Sequence, residues 1–159
     1  MSQPVRAWVH CGAQQTAYAR AGSGPAVIIL TRKDAEASAP WFELARSFRV
    51  ILPDLEQPCG CRPDGPDWLG DFFEALGLRR ASLIADEHYA LAALHFALAT
   101  PERIDRIALL RDDKNGEAPL APLTDVLAGR SLPMLLLPLT EAEPLSAQLS
   151  LLADFLGGF

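Results

Sequence analysis

Four consecutive residues, Asp86-Glu87-His88-Tyr89, bring two carboxylates, an imidazole and a phenol into one short segment. These are the groups of general acid–base chemistry. A carboxylate takes a proton, an imidazole titrates near neutral pH, and a phenol donates one. The same residues also suit a helix start, where carboxylates satisfy orphan N–H groups and complement the helix dipole. Arg32-Lys33 is a second candidate. Two adjacent cations can receive an anionic ligand, and they equally suit a solvated loop. Arg32 and Asp86 are therefore the candidate binding residues, and Glu87, His88 and Tyr89 the candidate catalytic ones. No metal or cofactor is expected. The histidines (His10, His88, His95) and cysteines (Cys11, Cys59, Cys61) give no zinc spacing. Cys59-Gly60-Cys61 is a C-x-C and reads as a loop with two ordinary thiols.

The elements that must position these residues are legible from hydrophobic period. Val5–Cys11 and Gln15–Ala19 alternate apolar and polar residues around Gly12, as a β-hairpin does. Gly22-Ser23-Gly24-Pro25 is a turn. Ala26–Leu30 is an unbroken apolar run, the mark of a strand covered on both faces. Pro40–Phe48 has helical spacing, with Trp41, Leu44, Ala45 and Phe48 on one face. Arg49–Leu52 is a strand stopped by Pro53. Glu56–Pro66 is a loop. Asp67–Leu76 is an amphipathic helix with Trp68, Phe72, Ala75 and Leu76 inward and Gly77 as its C-terminal cap. Ala81–Ala85 is a strand, and Glu87–Ala99 is a helix apolar nearly all round, hence deeply covered. Ile104–Leu110 and Pro133–Leu139 are strands. Arg111–Pro119 is a polar loop, and Leu120–Ala128 and Leu145–Leu156 are helices. His95 is expected to be buried and hydrogen-bonded among Leu91, Leu94 and Leu98, and His10 to lie at the surface. Trp8, Trp41 and Trp68 are expected to be packing residues.

Strand and helix alternate after the hairpin, which implies an α/β protein with parallel central strands and right-handed crossovers. The chain has 159 residues, half of them hydrophobic, which fits one domain spanning 1–159 with its own core. Its net charge of −6 speaks against nucleic acid and anionic lipid surfaces as partners. The N-terminus has no basic segment followed by an apolar one, and the apolar runs are too short to span a bilayer. With an odd cysteine count the chain reads as soluble and cytoplasmic.

Several stretches resemble the α/β-hydrolase fold family. Thr16-Ala17-Tyr18-Ala19-Arg20-Ala21-Gly22-Ser23-Gly24-Pro25 is similar to its second strand and turn, and Ala26–Leu30 to its third strand. Phe48-Arg49-Val50-Ile51-Leu52-Pro53-Asp54-Leu55 is similar to the fourth strand and its Pro-Asp end. Phe73–Ile84 resembles the approach to the nucleophile strand, and Ala99–Leu110 the run into the sixth strand. Ala153–Phe159 resembles the terminal helix. The resemblance implies a mostly parallel sheet with helices on both faces, no cap domain and a missing last strand.

The family's nucleophile stands in Gly-x-Ser-x-Gly on a sharp strand-to-helix turn. Aligned on its flanks, this chain reads Ala85-Asp86-Glu87-His88-Tyr89. Glu87 takes the nucleophile position, and Ala85 and Tyr89 take the glycine positions. Thr31-Arg32-Lys33-Asp34 stands where the family places its oxyanion-hole glycines. No histidine follows His95 to complete a triad, so Glu141 or Glu143 has no triad role. Some relatives use aspartate as a carboxylate nucleophile to open epoxides, and Glu87 is compared with that case.

The resemblance thus implies a truncated, degenerate, non-hydrolytic member that acts by binding or dimerisation. Its partner is a second copy or an enzyme encoded nearby. Leu145, Leu149, Leu152 and Leu156 recur at helical spacing, either packing on the chain's own sheet or shared across a two-fold interface. The alternatives are an acid–base enzyme using Glu87, His88 and Tyr89, and a binder of small anionic ligands.

Overall fold

A computed structural model describes residues 4–11, 14–31, 39–53, 66–86, 89–112, 133–139 and 145–157. Seven strands form one sheet: β1 (Val5–Cys11), β2 (Gln14–Ala21), β3 (Ala26–Leu30), β4 (Arg49–Pro53), β5 (Ala81–Ala85), β6 (Ile104–Asp112) and β7 (Met134–Leu139). Their spatial order is β1-β2-β4-β3-β5-β6-β7. The hairpin β1–β2 is antiparallel, and β2 joins β4 antiparallel. From β4 to β7 every pairing is parallel. The α-helices are α1 (Pro66–Leu76), α2 (Ala90–Ala99) and α3 (Leu145–Leu156).

The sheet is covered on both faces, which explains the apolar strands. All five residues of β3 and of β5 are buried. On β3, Ile28 and Leu30 join the core beneath α1 and α2, while Val27 and Ile29 join the core on the opposite face. That opposite core is closed by Trp41, Leu44 and Phe48 and by Leu149, Leu152 and Leu156 of α3. Leu149, Leu152 and Leu156 of α3 therefore pack on the chain's own sheet. Residues Ala39–Arg46 form a 3-10 helix and not an α-helix. The expected inward face is nevertheless kept, because Trp41 and Leu44 sit three residues apart, the period of a 3-10 turn.

β6 carries an extra residue. Ala81 faces Ile104 and Leu83 faces Ile107, so two steps on β5 oppose three on β6. This bulge lets Ile104 and Ile107 share one core face despite their odd spacing. Nearby, the Arg106 guanidinium lies 5.6 Å from the centre of the Phe155 ring and ties β6 to α3.

α1 ends as its sequence requires. Leu78 N–H donates to Phe73 O and Gly77 N–H to Glu74 O, with Gly77 at φ +67°. This is the Schellman arrangement, which needs a residue free to adopt a left-handed conformation. Leu78 then returns to the core.

Three side chains depart from expectation. Ala75 is exposed, and Leu69 and Phe73 are buried in its place. The inward stripe of α1 is Trp68, Leu69, Phe72 and Phe73, with Trp68 stacked on Phe72 at 5.0 Å. His95 is exposed and not buried. α2 buries Ala93, Leu94 and Ala97, and His95 marks the side that faces away. Trp8 is 64% exposed and is not a packing residue, unlike Trp41 and Trp68. Val9 and Ala7 point to the core, so the strand's alternation turns Trp8 to the other side with Arg6 and His10. The expected helix Leu120–Ala128 and most of the polar loop Arg111–Pro119 lie outside the described residues, although β6 itself continues to Asp112.

Candidate functional site

β5 delivers the candidate site. Ala85 is fully buried as the last residue of the strand. Its methyl group belongs to the core face beneath α1 and α2. Asp86 N–H then donates to Leu30 O at 3.0 Å, which extends the β3–β5 pairing by one residue. Tyr89 N–H donates to Asp86 O at 3.1 Å, and Ala93 N–H to Tyr89 O at 3.0 Å. The Tyr89–Asp86 bond, from residue i+3 to residue i, is the closing bond of a turn and links the end of β5 to the start of α2. The turn stands at the C-terminal ends of β3 and β5, where open parallel sheets form ligand clefts.

Tyr89 is the N-terminal boundary residue of α2, with φ −116° and ψ 0°. Its side chain caps no helix N–H. It lies half-buried against the core beneath α1 and α2. Asp86 is also half-buried. Of the five site residues read from sequence, the structure brings Asp86 and Tyr89 to this one turn. Glu87, His88 and Arg32 lie outside the described residues, as do Lys33, Asp54, Cys59, Cys61, Glu141 and Glu143.

A separate cleft of about 530 Å³ opens at the other end of the sheet. Phe73, Leu78, Arg79, Arg80 and Arg103 line it, beside the start of β5. Two of its guanidinium groups are engaged. Arg103 binds Glu74 and Arg80 binds Asp105, each at 2.9 Å and at the surface. Nothing in the sequence motifs pointed to this cleft, because its charges come from three separate elements. Among the described residues, no three His, Cys, Asp or Glu side chains are placed to hold a metal ion. Among them also, no helix is long and apolar enough to cross a membrane.

No protein-family profile matches the chain. A 2-hydroxy-6-oxononadienedioate/2-hydroxy-6-oxononatrienedioate hydrolase of Pseudomonas putida is 25% identical, over 69% of this chain and 44% of that protein. The naproxen esterase of Bacillus subtilis superposes with a TM-score of 0.59 at 22% identity, covering 69% of this chain and 43% of the esterase. Epoxide hydrolase A of Mycobacterium thermoresistibile superposes with a TM-score of 0.59 at 18% identity, covering 68% of this chain and 39% of that enzyme. The fold is α/β-hydrolase-like: a mostly parallel, seven-stranded sheet entered through an antiparallel hairpin. The chain spans less than half the length of each of these proteins.

Proposed function

We propose that this chain is a binding protein on an α/β-hydrolase-like scaffold and does not perform acyl transfer. The observation that carries this reading is the turn after β5. Tyr89 occupies the second small-residue position of a hydrolase elbow and packs half-buried on the core. In the same turn Glu87 takes the place of a serine. A nucleophile elbow works by holding a hydroxyl on a strained residue between small neighbours, next to backbone donors for the oxyanion. This turn offers a carboxylate between a histidine and an aspartate instead. The related hydrolases lend support to the scaffold, and their substrates belong to them.

The test is a hydrolysis assay on the purified chain with p-nitrophenyl esters and an aryl epoxide. The expected outcome is neither turnover above the buffer rate nor a stoichiometric burst. Turnover that Glu87→Gln abolishes overturns the reading.

A second reading is favoured by the position of the turn at the C-terminal ends of β3 and β5. Glu87, His88 and Tyr89 there supply acid and base for a lyase, isomerase or cyclase step, which needs no acyl-enzyme. Under this reading Arg32 and Asp86 hold the ligand. Turnover of a carboxylate or phosphate-bearing metabolite that Glu87→Gln or Tyr89→Phe abolishes separates it from the first, whereas thermal stabilisation by such a metabolite without turnover fits binding alone.

A further inference from the structure

The N-terminal edge of the sheet carries a feature that the elbow does not explain. Among the described residues β1 is the terminal strand, paired with β2 on one side only. It is seven residues long and holds no proline or acid. A strand of this kind presents a free row of N–H and C=O groups, and soluble proteins blunt such edges or use them. Within β1 itself the polar side chains are Arg6 and His10. Three large apolar side chains stand exposed among the described residues, and two of them are on this strand: Trp8 at 64% and Val5 at 53%.

We infer that β1 pairs antiparallel with β1 of a second copy about a two-fold axis, joining the two sheets into one. The occupant is read from the register. Antiparallel pairing keeps side chains of one face together only when residues of matching parity oppose each other. Three central registers satisfy this. One sets Arg6 against Arg6 of the second copy, like charge on like charge. One sets Trp8 against Trp8 of the second copy, and Arg6 then meets His10, cation against imidazole. The third centres the axis on Ala7. Arg6 then lies opposite Trp8 of the second copy, twice by symmetry, and Val5 lies opposite Val9.

The third register opposes no like charges and covers both exposed apolar residues. Its outward face carries two guanidinium–indole pairs and its inward face two valine pairs. A guanidinium hydrogen-bonds through its edge and stacks through its face. Arg6 already makes a contact within its own chain, and the pair with Trp8 of the second copy adds to that contact or replaces it. A two-fold axis uses the same patch on both copies, so self-complementarity of one strand is sufficient. An edge of seven residues buries less than the ~1,000 Å² of a tight interface, so the dimer is concentration-dependent. The inference names a partner for the binding reading and does not depend on the chemistry of the elbow. Its failure leaves the hydrolysis assay undecided, and the converse also holds.

Sedimentation equilibrium on the intact chain, over roughly 1–500 μM, tests it, a range that brackets the micromolar affinity of a small interface. Wild type is expected to shift from monomer to dimer with rising concentration. Trp8→Lys places an ammonium opposite Arg6 of the second copy and is expected to weaken the dimer at least tenfold. The double variant Trp8→Lys/Arg6→Glu makes opposite charges meet in the Ala7-centred register and is expected to recover dimerisation. Both positions of this test are at the surface, and circular dichroism checks that each variant folds. A monomer at every concentration overturns the inference. So does a dimer that Trp8→Lys leaves intact, or a double variant that fails to recover.

Discussion

A methyl group built on Gly22 runs into the carbonyl oxygens of Phe48 and Ala45, which are backbone atoms with no room to move. Gly22 also sits at φ +83°. The turn between β2 and β3 therefore needs glycine twice, for conformation and for space. Gly77 needs it once: φ is +67°, and a methyl group there meets nothing within 4 Å. Gly22→Ala is expected to cost about 3 kcal/mol or more, and Gly77→Ala about 1 kcal/mol. Urea unfolding of the two variants checks the order, and equal costs contradict it. Single residues were also where sequence reading failed, for a related reason. Residue type alone makes Trp8 a packing residue, whereas Arg6 and His10 at two residues on either side assign its face. His95 was read by its apolar neighbours. In a helix apolar nearly all round, the one polar residue marks the side turned outward. Asp86 and Tyr89 stand out in the sequence by their clustering, and the structure places them on either side of one hydrogen bond after β5.

At the scale of elements, each helix buries the stripe that its period allows. α1 buries Trp68, Leu69, Phe72 and Phe73, an i, i+1, i+4, i+5 pattern that excludes Ala75. Ala75 lies three residues after Phe72 but on the solvent side of that stripe. α3 offers a sharper contrast. Leu152 is fully buried in the core it shares with β3 and β6, while Leu151, next in sequence, is 50% exposed. Leu152→Ala is expected to lose about 2–5 kcal/mol from transfer and cavity costs together. Leu151→Ala is expected to stay within about 0.5 kcal/mol of wild type. Thermal or urea unfolding at one protein concentration reads both. A large cost at Leu151 means that the outward side of α3 is covered by another chain.

At the scale of the whole molecule, the architecture was legible because burial on two faces writes itself into composition. β3 and β5 are unbroken apolar runs since each side chain meets a core, and β1 alternates since one face does not. Strand order is different. Hydrophobic period carries no information on which strand lies beside which, so the order β1-β2-β4-β3-β5-β6-β7 comes from the structure. The site resisted for a third reason: its turn departs from the pattern that would have named its chemistry. The same distribution of cover dictates how the sheet opens. β3 is paired on both sides and covered on both faces, so its amides open only with the whole domain. β1 is paired with β2 alone. Along it, alternate N–H groups face β2 and the rest face outward, as antiparallel geometry requires. Hydrogen exchange on dilute protein is expected to be slowest at Val27–Leu30 and Ser82–Ala85. In β1 it is expected to split into two classes, alternate amides slow and fast. Raising the concentration is expected to slow the fast class alone, since only those donors find partners in a second copy. Two slow classes in dilute protein mean that the edge is already covered within the chain, and the pairing of two copies through β1 is then wrong.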